Sequence, residues 1–175
     1  MLRRPIALIT AVFIAFSALS SAASAFETKA RSAFVLDLTT GTVLMAKDAD
    51  TPRPPASMSK LMTLYMAFEA IRDGRLTMEE RLPVSSHAQS YTGSTMFLDT
   101  RDNVKVADLL RGIIVLSGND ACAVVAEALS PDGSEAGFAR YMTRRARQLG
   151  MTNSTFVNSN VWPAPGHVMS TRDLV

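Results

Sequence analysis

The chain has 175 residues, of which 47% are hydrophobic and 19% charged, a composition typical of a folded globular protein rather than a disordered one. Its net charge of +2 comes from 18 basic and 16 acidic residues, and two of the basic ones are Arg3 and Arg4. Without these two, 16 basic residues face 16 acidic ones. The charge therefore gives no reason to expect nucleic-acid binding.

The first 25 residues differ from the rest of the chain. The two arginines precede an apolar run from Ile6 to Leu19, and Ala23-Ser24-Ala25 is a small-residue cleavage motif. This order is typical of a secretory signal peptide. The alternative is an uncleaved membrane anchor, but the run of about 14 residues is shorter than the roughly 20 that span a bilayer. We expect cleavage after Ala25 and export of residues 26–175.

Cysteine and histidine usage gives no indication of a disulfide or a metal site. Cys122 is the only cysteine and lies in an apolar stretch, so we expect a buried, unreactive thiol. His87 and His167 lie 80 positions apart, with no cysteine or carboxylate at metal-ligand spacing. We predict no metal and no cofactor.

The first folded element predicted is a β-hairpin. Residues 33–38 and 43–46 are short apolar runs, and Thr39-Thr40-Gly41-Thr42 between them has the composition of a turn. Three prolines between positions 52 and 55 then prevent regular structure. The next element is therefore expected to begin close to residue 56.

A helix is predicted from about Ser57 to Arg72, ending near Gly74. Its apolar side chains point in every direction around the axis, at positions 58, 61, 62, 64, 65, 66, 68 and 71. A helix that is apolar all round is normally buried in the middle of a domain. We therefore expect this helix to be central.

Residues 84–105 mix polar residues with Gly93 and predict a loop with short elements. Three helices are predicted after it, the first over 106–116, the second ending near 129 and the third ending near 149. Ser117-Gly118-Asn119-Asp120 separates the first two, and Ser134 can cap the third. Ser170 begins barely one further helical turn before the last residue. We expect the sequence to be a fragment.

The first candidate for chemistry is Ser57-Met58-Ser59-Lys60. A serine at a helix N-terminus lies at the positive end of the dipole, which favours a developing alkoxide. Lys60 would share its face, and burial would lower the lysine pKa until a neutral amine could accept the serine proton. The plain alternative is an ordinary cap, since S-x-x-K arises by chance about once in one or two chains of this size.

The second candidate is Ser117-Gly118-Asn119, between two apolar helices. Ser117 could relay a proton, and the Asn119 amide offers both a donor and an acceptor to a substrate peptide bond. Here too a structural reading is available. Gly118 could end one helix while Asn119 or Asp120 caps the next.

The two motifs together are more specific than either one alone. An S-x-x-K opening a buried helix, followed by S-x-N between helices, begins the motif set of serine penicillin-binding proteins and β-lactamases. Further matching stretches are 37–41, 43–44, 53–63, 93–98, 108–121, 149–158 and 166–174. On these residues the chain resembles the low-molecular-mass D-alanyl-D-alanine carboxypeptidases of peptidase family S11, from about Ala33 onward.

The resemblance implies an α/β (α+β) fold of the β-lactamase/DD-peptidase type, an antiparallel sheet flanked by helices, with 26–175 as the N-terminal portion of the catalytic domain. It implies that Ser57 is the nucleophile of an acyl-enzyme and Lys60 the general base. Ser117 and Asn119 would complete the proton relay and the substrate contacts. The partners would be peptidoglycan stem peptides, which would lose a terminal D-alanine, and β-lactams, which would acylate the serine. The location would be the periplasm or the outer face of the inner membrane.

Some features depart from the family pattern. The chain contains no Lys-Thr-Gly or Lys-Ser-Gly triplet, the third family motif, so truncation before it is expected. Many members also carry a β-rich domain and an amphipathic anchor near the C-terminus, which would allow membrane association. Residues 158–163 differ from the common Asn-Pro-His-Gly form, and we interpret them as a surface variation near the site.

Two other functions are considered. A class A β-lactamase would need a glutamate for deacylation, but none of Glu127, Asp132 and Glu135 lies in a Glu-x-x-x-Asn pattern. A non-catalytic fragment that binds penicillin or peptidoglycan is the other alternative, because the third motif is missing. Turnover of nitrocefin against a D-Ala-D-Ala peptide would decide on the β-lactamase, and a Lys-Thr-Gly triplet in longer sequence would decide against the non-catalytic alternative.

Overall fold

A computed structural model describes residues 27–160 and 162–175, so the predicted signal peptide lies outside the described residues. The first element is the predicted hairpin, in which β1 (Ala33–Asp37) pairs antiparallel with β2 (Thr42–Lys47). The Asp37 carboxylate stabilises the turn by accepting hydrogen bonds from the Thr39 amide at 2.9 Å and the Thr40 hydroxyl at 2.7 Å. The hairpin prediction is confirmed.

The helix predicted from Ser57 consists of two parts. A 3-10 turn covers Ala56–Ser59, and the α-helix proper, α1, covers Lys60–Arg72. Ala56 has a left-handed backbone, φ +49°, which costs a non-glycine residue about 1–2 kcal/mol. The helical segment runs without a break from Ala56 to Arg72, close to the predicted bounds, although its first turn is a 3-10 turn.

The expectation that α1 is buried all round was wrong. Met62, Met66 and Ala67 are buried on one side, whereas three large side chains on other faces are exposed: Leu61 at 56%, Tyr65 at 39% and Phe68 at 47%. Within the described residues, three later helices pack against α1. Apolar composition alone does not show which faces are covered.

Short elements follow α1, as predicted for this region. β3 (Arg81–Pro83) and β4 (Asn103–Lys105) pair antiparallel, and a single helical turn, α2 (Ser86–Gln89), lies between them. Ser85 caps α2 by accepting a hydrogen bond from the Ala88 amide at 3.0 Å. The described strands therefore form two separate two-stranded antiparallel ribbons.

The central helix of the described fold is α4 (Asn119–Leu129), which follows α3 (Val106–Leu116) as predicted. Residues 119–126 of α4 are all buried, because α1, α2, α3 and α5 (Glu135–Gln148) pack around it. Ser134 caps α5 by accepting from the Gly137 amide at 3.0 Å, which confirms the predicted cap. Cys122 is fully buried in α4, and burial raises the pKa of its thiol, as expected for an unreactive cysteine.

The last segment packs beside the residues that precede the S-x-x-K motif. Met169 pairs with Arg53 through two backbone hydrogen bonds of 2.9 Å, and Thr171 donates a hydrogen bond to the Ala49 carbonyl at 3.1 Å. Ser170 begins a turn rather than a helix, with its hydroxyl accepting from the Asp173 amide at 3.1 Å. In the described part of the chain, no helix is both long and apolar enough to cross a bilayer.

Candidate active site

Lys60 and Ser117 meet directly, although they are 57 positions apart. The lysine Nζ donates hydrogen bonds to the Ser117 hydroxyl at 2.9 Å and to the Ser117 carbonyl oxygen at 2.8 Å. Ser117 ends α3 in a left-handed conformation, φ +57°, and in this conformation both of its oxygens face the same amine. The fold therefore joins the two candidate motifs at one point.

The surroundings of Lys60 favour a neutral amine. The residue is only 4% exposed, and no carboxylate within the described ranges forms an ion pair with it. Burial lowers its pKa from the ordinary value of 10.5 because the charged form loses hydration. Its two acceptors at Ser117 are uncharged, so they provide hydrogen bonds without the attraction of a counter-ion.

Ser57 lies at the surface of the same site. It lines an open cleft of about 620 Å³ whose walls are Ala56, Ser57, Met58, Lys60, Leu61, Leu64, Ile113, Ile114 and Ser117. Ser57 is exposed, so a ligand in the cleft can reach its hydroxyl. The 3-10 turn that contains Ser57 leads directly into α1, so Ser57 lies at the positive end of the helix dipole. In this arrangement a serine, a buried amine and a second serine share one cleft.

Asn119 holds the loop that lies over the start of α4. Its side-chain amide donates to the Thr92 carbonyl at 2.9 Å, and its backbone amide donates to the Ser94 carbonyl at 2.7 Å. Gly93 between them has φ +78°, and a Cβ there would lie 3.6 Å from the Asn119 nitrogen. Asn119 is not the cap of α4, because Gly118 holds the N-cap position, whereas the Asp120 carboxylate accepts from the first-turn Ala121 amide at 2.8 Å.

Asp120 fixes the next part of the same loop. Its buried carboxylate accepts hydrogen bonds from the backbone amides of Met96 at 3.0 Å and Leu98 at 3.1 Å. Charged acceptors make stronger hydrogen bonds than neutral ones. Asn119 and Asp120 together therefore tie the loop from 92 to 98 to the start of α4.

Sequence reasoning missed the contribution of Glu135. Its Oε1 accepts from the Ser159 amide at 2.9 Å and the Ser159 hydroxyl at 2.6 Å, and its Oε2 lies 2.6 Å from both His87 Nε2 and the Tyr91 hydroxyl. Burial alone would raise the pKa of Glu135, but these hydrogen bonds outweigh it and lower the pKa. In the sequence Glu135 looks like an ordinary first-turn residue after a cap, so no local signal indicated this cluster.

The prediction that residues 158–163 are a surface variation is wrong for the first half of the segment, in which Asn158, Ser159 and Asn160 are buried. Ser159 donates to Glu135, Asn160 donates to the Asn119 carbonyl at the start of α4, and Asn158 donates to the Trp162 carbonyl. Thr63 in α1 also donates a hydrogen bond to the Ser159 carbonyl at 2.7 Å. Trp162, by contrast, is 44% exposed.

Comparisons with known proteins all point to one family. The family model described as D-alanyl-D-alanine carboxypeptidase matches residues 19–175. Among curated proteins, D-alanyl-D-alanine carboxypeptidase DacF of Bacillus subtilis is 37% identical over 146 residues, which cover 83% of this chain and 37% of DacF. D-alanyl-D-alanine carboxypeptidase DacC of Escherichia coli is 36% identical over 83% of this chain and 37% of its own length. The chain thus spans well under half the length of these two relatives.

Solved structures agree with the sequence matches. The D-alanyl-D-alanine carboxypeptidase DacD from Francisella tularensis superposes with a TM-score of 0.82 at 32% identity, over 86% of this chain and 36% of that one. Penicillin-binding protein D2 from Listeria monocytogenes in its ampicillin-bound form gives a TM-score of 0.73 at 30% identity, over 85% and 60% of the two chains. The matches favour the carboxypeptidase prediction over the β-lactamase one. This chain belongs to the D-alanyl-D-alanine carboxypeptidase family, peptidase family S11, and has the fold of its penicillin-binding members.

Proposed function

We propose that this chain carries the first two catalytic motifs of an exported serine D-alanyl-D-alanine carboxypeptidase, which removes the terminal D-alanine from peptidoglycan pentapeptides. The observation that carries the proposal is the contact of the buried Lys60 amine with the Ser117 hydroxyl beside the exposed Ser57. An amine without a counter-ion is a suitable base at neutral pH when burial lowers its pKa. Family membership supports the same reaction.

In the proposed reaction the Ser57 hydroxyl oxygen attacks the carbonyl carbon of the penultimate D-alanine, and the hydroxyl proton passes to Lys60. The proton then returns through the Ser117 hydroxyl to the nitrogen of the leaving D-alanine, and the peptide C–N bond breaks. Water hydrolyses the resulting ester and restores Ser57. Asn119 would hold the substrate peptide bond, since only one of its N–H groups is used by Thr92.

Two further assignments belong to this proposal. Residues 1–25 are a signal peptide that directs residues 26–175 to the periplasm. An amphipathic anchor of the kind that many family members carry near the C-terminus would hold the protein at the inner membrane. β-Lactams would acylate Ser57 as substrate mimics, and the ampicillin-bound Listeria relative supports this ligand class. The Lys-Thr-Gly strand would be supplied by residues outside this sequence.

A comparison of two substrates tests the proposal. We expect purified protein to release D-alanine from a peptide ending in D-Ala-D-Ala and to hydrolyse nitrocefin only slowly. Residues 26–175 and the longest protein that the same gene encodes should be assayed side by side. The reason is that the third motif donates an oxyanion-hole hydrogen bond in the family, and losing one such donor costs about 100- to 1,000-fold in rate. Rapid nitrocefin turnover would favour the β-lactamase, and no D-alanine release from either form would favour the non-catalytic alternative.

A further inference from the structure

Glu135 is a buried carboxylate with hydrogen-bond partners on both of its oxygens. It is 6% exposed, and these partners come from two separate parts of the chain: His87 and Tyr91, and the segment 158–160. Such a group does not bind a water for attack, because its two oxygens already accept from side chains and backbone. It is suited to holding structure in place.

Two routes lead from Glu135 to Asn119. On one side, the Glu135 carboxylate binds the Tyr91 hydroxyl, and the next residue, Thr92, supplies the carbonyl that accepts the Asn119 side-chain amide at 2.9 Å. On the other side, Asn160 Nδ2 lies 3.3 Å from Glu135 Oε1 and donates to the Asn119 carbonyl oxygen at 3.4 Å. Side chain and backbone of Asn119 are therefore both linked to one carboxylate.

We propose that Glu135 is a positioning residue for Asn119: by fixing Tyr91 on one side and the segment 158–160 on the other, it sets the orientation of the amide that contacts the substrate. The inference rests on the proposed function. A displacement of about 1 Å in a positioning group can cost on the order of 100-fold in rate. Loss of Glu135 should therefore slow the acylation of Ser57 by about 10- to 100-fold.

The test compares three variants with the parent protein, each prepared as the longest protein that the gene encodes and treated with a fluorescent penicillin. Glu135→Ala removes both links, whereas Glu135→Gln keeps one oxygen for Ser159 and offers an NH₂ group that neutral His87 or the tyrosine oxygen can accept. Ser134→Ala is the matched control, because it removes the cap of the same helix end without touching the cluster. Acylation rates at several penicillin concentrations separate binding from reaction, and amide hydrogen exchange follows residues 117–120 and 158–160.

We expect Glu135→Ala to be slowest, Glu135→Gln to recover part of the rate, and Ser134→Ala to react like the parent. Exchange should rise in both segments in Glu135→Ala and remain at the parental level there in Ser134→Ala. Parental acylation rates in Glu135→Ala, or an equal loss in Ser134→Ala, would overturn the proposal. Absence of labelling in the parent protein would instead refute the proposed function. Hydrogen exchange does not require labelling, so unchanged exchange at 117–120 in Glu135→Ala would refute the positioning role by itself.

Discussion

Replacing Lys60 with arginine should lower the rate of Ser57 acylation by about 10²- to 10⁴-fold, the range that a general base contributes. Arginine can still donate hydrogen bonds towards Ser117, but a guanidinium stays protonated in proteins and cannot accept the serine proton. Burial lowers the pKa of Lys60, and none of the described carboxylates forms an ion pair with it, so the neutral form is favoured. The measurement is the second-order rate of labelling by a fluorescent penicillin, followed on a denaturing gel.

Lys105→Arg is the control, because Lys105 lies on the surface and pairs with Glu79 at 2.6 Å. It should label like the parent protein.

The parent should also show a pH dependence of definite sign: the base is active when neutral, so labelling should rise with pH and level off above a midpoint lower than 10.5. A Lys60→Arg labelling rate within a few-fold of the parent rate would contradict the assignment of Lys60 as the base. A parent labelling rate that falls as the pH rises towards 10.5 would contradict it as well.

Removing the Ser117 hydroxyl should produce the second large effect. We expect Ser117→Ala and Ser117→Gly each to lose about 100-fold or more in acylation, because the hydroxyl accepts a hydrogen bond from Lys60 at 2.9 Å and is the proposed relay to the leaving group. The carbonyl of residue 117 still accepts from Lys60 at 2.8 Å in either variant, so the lysine should remain in place.

The two Ser117 variants separate chemistry from stability. Residue 117 has φ +57°, where a Cβ costs about 1–2 kcal/mol, so glycine should be more stable than alanine by about 1 kcal/mol. Thermal unfolding should rank glycine above alanine while their labelling rates stay equally low. Recovery of labelling in the more stable variant would show that Ser117 acts on the fold rather than on the reaction.

Elements with strong local signals were predicted well from the sequence. The break at Ser117-Gly118 lies between α3 and α4, and Ser134 caps α5, because turn and cap preferences depend on nearby residues. The contact of Lys60 with Ser117 followed only from recognising two motifs in order. Nothing local in either motif predicts that they meet.

Features that depend on distant partners were predicted poorly. The apolar residues on every face of α1 did not show which faces have neighbours, and the left-handed conformation of Ala56 has no sequence signature. Glu135 and the polar segment from Asn158 each look solvent-exposed in isolation. They become buried because each satisfies the other's hydrogen bonds, a condition that exists only after folding.

The central claim is that Ser57 forms the acyl-enzyme, and mapping the site of penicillin attachment tests it most directly. Two forms of the protein would be labelled and digested: residues 26–175 and the longest protein that the gene encodes. Mass spectrometry would then identify the modified peptide. Ser57→Ala removes the nucleophile, and Ser59→Ala is the matched control because Ser59 lies in the same turn but is fully buried. We predict label on Ser57 that persists in Ser59→Ala and disappears in Ser57→Ala. Label at another residue, or no label on either form, would contradict the acyl-enzyme mechanism.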